Sequence, residues 1–336
     1  MKENILNYIP LKIYRNLRWK KSISEVYRYN KKYFSKEYAD ICLNAAVAEH
    51  KKLPVQQVLQ AYEKKDQYII RYLENLCSDV IEQYKNYKPN LSEQKNPETI
   101  WVFWWTGENS APDIVKACIK SIRKNANGHN IIFLDQTNFA EYVVFPEEIL
   151  KKHKQGKIGH AHFSDMLRIS LLAKYGGMWI DATVFLSQPI PQSAFSQTFY
   201  SLKTYDPSAL YYSKSRWCGY FLAGNADFLL FPFIRDCLIA HWLRTDHIID
   251  YLLMDYLFGI AYKHFDQVKL GFDQLSDNNT KRGLLMAKIN EPYSPELFDS
   301  LSSGETFASK LSWRYGNPTS QTKTGELTNY GHLLDL

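Results

Sequence analysis

Residues 160–183 read HAHFSDMLRISLLAKYGGMWIDAT, and this stretch decides the fold. Its first half, Phe163 to Tyr175, has helical character, and Gly176-Gly177 stops it because glycine accepts the backbone angles that end a helix. Met178-Trp179-Ile180 then forms a short apolar strand that ends in a carboxylate, Asp181. Asp165 and Arg168 lie three apart on the helix and share a face. The glycine pair reverses the chain within two residues, so the Asp/Arg face can be brought near Asp181. One cation and two carboxylates would then line a pocket beyond the carboxyl end of a strand, where open α/β sheets bind ligands.

The flanking sequence supports an α/β sheet. Upstream, Ile100-Trp101-Val102-Phe103-Trp104-Trp105 is a β-branched and aromatic run of buried-strand type. Pro112 to Ala126 has helical spacing, and Asn130 to Asp135 reads as a second strand. A strand–helix–strand unit of this length implies parallel strands joined by a crossover helix. Downstream, a strand is expected within Trp217–Ala223, with packed helices over Asp227–Leu243 and Ile248–His264. The last 70 residues are less patterned. Residues 1–90 read as helices: one over Lys36–Lys52, and a long one opened by Pro54 and running to Ile81. The polar stretch Lys88–Glu98, with Pro89 and Pro97, reads as a linker. The expected organisation is a helical region over 1–90 and an α/β domain over 97–336.

Composition excludes several classes. The 336 residues are 45% hydrophobic and 23% charged, the balance of a globular protein rather than a disordered or fibrous one. The most apolar stretch, Gly219 to Trp242, contains Asp227, Arg235 and Asp236, which argues against a spanning helix. Met1 to Leu17 is interrupted by Lys2, Glu3, Lys12 and Arg15 and does not read as a secretory leader. Five cysteines without a CxxC give neither a disulfide framework nor a zinc knuckle, so a reducing cytoplasm is expected. His160 and His162, two apart on a helix, point away from each other and have no evident third ligand. The net charge of +6 is concentrated in residues 1–36, which carry ten Lys/Arg against Glu3 and Glu25. Tyr8, Ile9, Ile13, Tyr14, Leu17 and Trp19 are interleaved with those cations. Such a segment suits the surface of an anionic membrane, or else a solvated face on an ordinary helix. The slightly acidic remainder shows no nucleic-acid motif.

The run SDMLRISLLAKYGGMWIDATV resembles the hallmark of the capsular polysaccharide synthesis glycosyltransferases. These are relatives of glycosyltransferase family 32 and, more distantly, of the glucosyltransferase domains of clostridial toxins. IWVFWWTGENSAPDIVKACIKSIRKNA is similar to that family's first strand and helix, and IIFLDQTNF to its second strand and loop. The resemblance is good over about 97–265 and loose beyond.

The resemblance implies a GT-A fold, a Rossmann-like and mostly parallel sheet with a nucleotide-sugar site at its carboxyl edge. It implies that Trp101, at the end of the first strand, stacks on uracil and that Asn138 helps hold the uridine. Ser164, Asp165 and Arg168 would contact ribose, sugar or phosphate. Lys310, Ser312, Trp313 and Arg314 resemble the closing segment over the diphosphate. A carboxylate facing a diphosphate calls for an intervening Mn²⁺ or Mg²⁺, with Asp181, Thr183 and Asp255 as candidate ligands. There is one departure: the Asp-x-Asp motif reads Asp181-Ala182-Thr183, and threonine is a weaker, neutral ligand.

The implied activity is metal-assisted transfer of a hexose from a nucleotide sugar, a UDP-sugar foremost, to a growing capsular or cell-surface polysaccharide, with retention of configuration. Asp181, Arg168 and Asp165 are the expected catalytic set. A non-catalytic assembly partner that binds nucleotide sugar or glycan, and a sugar-phosphate transferase, remain as alternatives. Other expected partners are a lipid-linked acceptor and, through residues 1–36, the inner face of the membrane.

Overall fold

A computed structural model describes residues 11–88, 98–314 and 317–336, with side chains from Trp19 onward. The expected linker thus falls largely outside the described residues, as does the start of the basic segment. Four helices come first: α1 (Leu11–Tyr33), α2 (Lys36–His50), α3 (Val55–Leu76) and α4 (Ser78–Tyr84). Ser35 caps α2 by accepting from the Tyr38 amide. The long helix expected from Pro54 to Ile81 is interrupted at Cys77, which caps α3 and opens α4.

The α/β part begins with β1 (Thr99–Phe103), α5 (Asp113–Lys124), β2 (Asn130–Leu134), α6 (Glu147–Lys154), α7 (His160–Tyr175) and β3 (Gly177–Ile180). It continues through β4 (Val184–Leu186), α8 (Ser193–Ser196), β5 (Phe199–Ser201), β6 (Phe221–Gly224), α9 (Leu230–Arg244), α10 (Leu253–His264) and α11 (Asp266–Asp273). The chain then adds α12 (Leu284–Ala287), α13 (Pro295–Ser302), β7 (Ala308–Lys310) and α14 (Asn329–Asp335).

Five strands form the main sheet in the order β2-β1-β3-β6-β5. β1 runs parallel to β2 and β3, and β6 runs antiparallel to β3 and β5, so four of the five strands point one way. This is the Rossmann-like, mostly parallel sheet expected. Helix α7 lies on β1 and β3 and is covered by α9, with α10 packed on α9. β4 and β7 pair separately as a two-stranded ribbon.

The N-terminal helices share this core. Tyr38, Ile69, Leu73 and Tyr84 are buried in the same apolar cluster as the sheet residues. The Tyr84 hydroxyl donates to Asp236 at 2.6 Å, Tyr38 to the Ile249 carbonyl at 2.7 Å and Tyr256 to Asp66 at 2.7 Å. All five cysteines are free thiols. No helix of the described residues is long and apolar enough to cross a membrane.

Candidate active site

The Gly176-Gly177 pair works sterically as well as conformationally. Both have positive φ, 68° and 86°. A Cβ on Gly177 would overlap the Thr99 carbonyl oxygen, and one on Gly176 would lie 3.0 Å from the Gly224 oxygen. Only glycine lets α7 turn into β3 this close to β1 and β6.

At the other end of β3 the Asp181 amide donates to the Tyr220 carbonyl at 2.9 Å, tying the strand end to the start of β6. The Asp181 carbonyl accepts from the Val184 amide at 2.9 Å, so the chain turns over Ala182 and Thr183 directly into β4. Strand β7 pairs antiparallel with β4, with Lys310 opposite Val184, and the Leu311 amide donates to the Thr183 carbonyl at 2.9 Å. That pairing carries Lys310 to the end of β3.

The side chains converge there. Arg168 Nη2 donates to Asp181 Oδ1 at 2.9 Å and Trp179 Nε1 donates to the same oxygen at 2.8 Å. Lys310 Nζ donates to Asp181 Oδ2 at 2.7 Å and to Thr183 Oγ1 at 2.7 Å. Arg168 Nη1 donates to the Gly219 carbonyl and lies 3.3 Å from Asp165 Oδ1. The guanidinium also sits 5.1 Å from the centroid of the Trp179 ring, within cation–π range. Burial pushes the Asp181 carboxyl up, but the charges of Lys310 and Arg168 and the hydrogen bonds from Lys310 and Trp179 more than offset it, leaving the group below the usual carboxylate range. Asp165, Arg168 and Asp181 thus converge, the arrangement the sequence reading expected of these three, and Thr183 and Lys310 join them in one connected constellation.

Other expected residues lie at its margins. Asp165 also sits 3.6 Å from His162 Nδ1, and Ser164 beside it is partly exposed. Exposed Tyr251 packs edge-on against His162 at 5.5 Å. Burial and the charges of Asp165 and Asp181 raise its hydroxyl pKa. Trp313 is 42% exposed, is overlaid by Arg314, and meets Trp104 edge to face at 5.8 Å. The Ser312 hydroxyl accepts from the Arg314 amide at 3.2 Å and shapes the same segment.

Two expected contacts are corrected by their surroundings. Trp101 is not at the end of β1 but in its middle, only 2% exposed, with Nε1 donating to the Gly176 carbonyl at 3.0 Å and its ring against Tyr142 and Tyr175. No ring face is open to a base. Asn138 uses both ends of its amide on its own loop, accepting from the Asp135 amide and donating to the Phe133 carbonyl, so it braces the end of β2.

The expected metal ligands do not make a matching donor set. Both Asp181 oxygens and the Thr183 hydroxyl already accept hydrogen bonds from cationic or N–H donors. Asp255 accepts from Trp217 Nε1 at 3.2 Å, and burial beside Asp165 pushes its carboxyl up to about 7. Among the described residues, no cluster of three or more His, Cys, Asp or Glu is arranged to hold a metal ion.

Three contributors lie outside the sequence reading. Trp179 was detectable, since residues two apart on a strand face the same side and its indole points the way Asp181 points. Gly219 and Tyr220 enter from the approach to β6, and a neighbouring strand leaves no local signal. A Cβ on Gly219 would lie 2.9 Å from Arg168 Nη1 and overlap the Met254 methyl, so the bare backbone makes room for the guanidinium.

The family described as "Capsular polysaccharide synthesis protein" matches residues 49–332, and the chain belongs to it. A curated relative, the O-glycosyltransferase braB of Annulohypoxylon truncatum, is 33% identical over a 98-residue alignment, with 26% of this chain and 23% of that protein covered. The chain thus spans about a quarter of that relative's length. A solved structure, PaToxG Glycosyltransferase, aligns over 62% of this chain and 88% of its own with 13% identity and a TM-score of 0.37.

Proposed function

We propose that the protein is a glycosyltransferase of capsular or related cell-surface polysaccharide synthesis, which moves a hexose from a nucleotide sugar, a UDP-sugar foremost, to a growing glycan with retention of configuration. One observation carries the reading: the Asp181 carboxylate stands at the carboxyl edge of a Rossmann-like sheet, clamped between Arg168 and Lys310. Departure of a nucleoside diphosphate builds negative charge on the leaving oxygens, and fixed cations are an effective way to stabilise it. Arg168 is held by Asp165, Asp181, the Gly219 carbonyl and the Trp179 ring, so its fork is set before a donor arrives. Lys310 is held by Asp181 and Thr183. Asp165 and Ser164, partly exposed beside Arg168, would orient ribose or sugar hydroxyls. No side chain is assigned as nucleophile. In retaining transfer the leaving diphosphate can itself accept the proton of the incoming hydroxyl.

The test is a panel of nucleotide sugars, first in a thermal-shift screen and then with glycan acceptors. One donor class should raise the melting temperature, because a ligand that binds the native state stabilises it. Mass spectrometry should then show acceptor gaining one hexose. A gain of hexose phosphate would instead mark a sugar-phosphate transferase, and binding without transfer a non-catalytic partner.

The reading extends to the membrane surface. Lys20, Lys21, Arg28, Lys31 and Lys32 of α1 are exposed, while Tyr29 and Tyr33 of the same helix pack on His247. One side of α1 thus fastens to the body and leaves its cations outward, where a peripheral enzyme would meet an anionic inner leaflet and a lipid-linked acceptor. Replacing Lys20, Lys21, Lys31 and Lys32 by Glu should abolish co-sedimentation with phosphatidylglycerol vesicles and leave transfer to a soluble acceptor unchanged. Undiminished co-sedimentation would remove the membrane from the proposal.

A further inference from the structure

We propose that Lys310 is a built-in counter-cation that takes the place of a divalent metal ion at the diphosphate, so that nucleotide binding by this enzyme is independent of metal. The inference rests on the nucleotide-sugar reading above.

Geometry supplies the first support. The ammonium of Lys310 is 2.7 Å from Asp181 Oδ2 and 2.7 Å from Thr183 Oγ1, bridging the first and third positions of the Asp-Ala-Thr segment. These are the positions that an Asp-x-Asp motif would use on a cation. The nitrogen is also 4.9 Å from the Tyr220 ring centroid, which fixes it from a third side. Its backbone is locked by the β4–β7 pairing and by the Lys310 amide donating to the Arg282 carbonyl at 2.8 Å.

Charge supplies the second. A carboxylate at the third position together with a divalent ion would add a net single positive charge beside Asp181. A neutral threonine together with a lysine adds the same. The threonine that departs from the motif and the lysine that reaches it from β7 are therefore a matched pair: with a second carboxylate here, the lysine alone would leave the site one positive charge short. Thr183 still offers the ammonium an oxygen, as a positioning hydrogen-bond acceptor.

The experiment measures the thermal shift produced by uridine, guanosine, adenosine and cytidine diphosphates on the purified chain, in EDTA and in Mn²⁺. The proposal expects the effective nucleotide to give the same shift in both buffers. It expects Lys310→Ala to lose the shift in EDTA. It further expects T183D/K310A to regain the shift only with Mn²⁺, since that variant restores a second carboxylate and vacates the ammonium position. Wild-type protein that responds only in Mn²⁺ would overturn the counter-cation assignment while leaving the donor reading intact. The wild-type comparison alone decides this if a variant fails to fold. No shift with any diphosphate in either buffer would overturn the donor reading and the inference with it.

Discussion

Trp179 and Asp181, two residues apart at the end of β3, are joined by an indole-to-carboxylate hydrogen bond of 2.8 Å, and the same indole ring lies under the Arg168 guanidinium. One side chain thus orients both the anion and the cation of the site. Trp179→Phe keeps a ring for Arg168 but removes the donor. A hydrogen bond to a charged group contributes about 1.5–3 kcal/mol, so the variant should lose roughly tenfold or more in turnover. Circular dichroism melting should show a moderate loss of stability. Wild-type turnover in Trp179→Phe would mean that the indole is only packing.

Arg168→Lys should be costly although it preserves charge. An ammonium cannot reach Asp181 and the Gly219 carbonyl together or present a planar fork to a phosphate. Turnover should fall by about a hundredfold or more, against a transition-state role of the size found for such donors, with a near-native unfolding curve. Arg168→Ala should instead destabilise the fold by about 3–5 kcal/mol, because it leaves Asp181 and Asp165 under-compensated. Denaturant titration separates the two outcomes.

Gly219→Ala tests the approach of the backbone. The added methyl collides with Met254 and crowds Arg168 Nη1 at 2.9 Å. Overpacking of this kind costs about 1–3 kcal/mol, and displacement of the guanidinium should reduce activity beyond what the loss of stability explains. Equal turnover per folded molecule would show that the Arg168–Gly219 contact is dispensable.

Asp255 gives a pH dependence. Burial, and then the charge of Asp165, raise its carboxyl from the usual range to about 7, while the Trp217 hydrogen bond and Arg168 pull the other way and Asp250 adds to the rise. The folded state therefore holds a proton that the unfolded chain releases near pH 4. The stabilisation is complete below that pH and is lost as pH rises through about 7. Asp255→Asn, which cannot ionise, should melt higher than wild type at pH 8 and gain less than half as much at pH 5. The same difference at both pH values would show that Asp255 is ionised throughout.

The sheet was legible because its strands are short, apolar and bounded by turn residues. The runs Ile100–Trp105, Asn130–Asp135 and Met178–Asp181 coincide with β1, β2 and β3 to within two residues at either end, and Gly176-Gly177 marks the reversal between α7 and β3. The Asp165, Arg168 and Asp181 convergence was legible for the same reason, since local spacing and one turn determine it. Strands β4, β5 and β7 are three residues each, too short for alternation to register. Their partners are far along the chain, so nothing local announces them. Trp101 was misplaced because a strand tryptophan reads alike whether it is at the middle or the end of the strand. Only the register opposite Trp179 shows that it is central.

Lys310 reaches Asp181 across an interval of 129 residues, through a ribbon that forms only when β7 meets β4. A nascent copy still on the ribosome, with its last segment unmade, can fold the sheet and yet hold Asp181 with one cation instead of two. The charge set around Asp181 is thus completed only once β7 has been made.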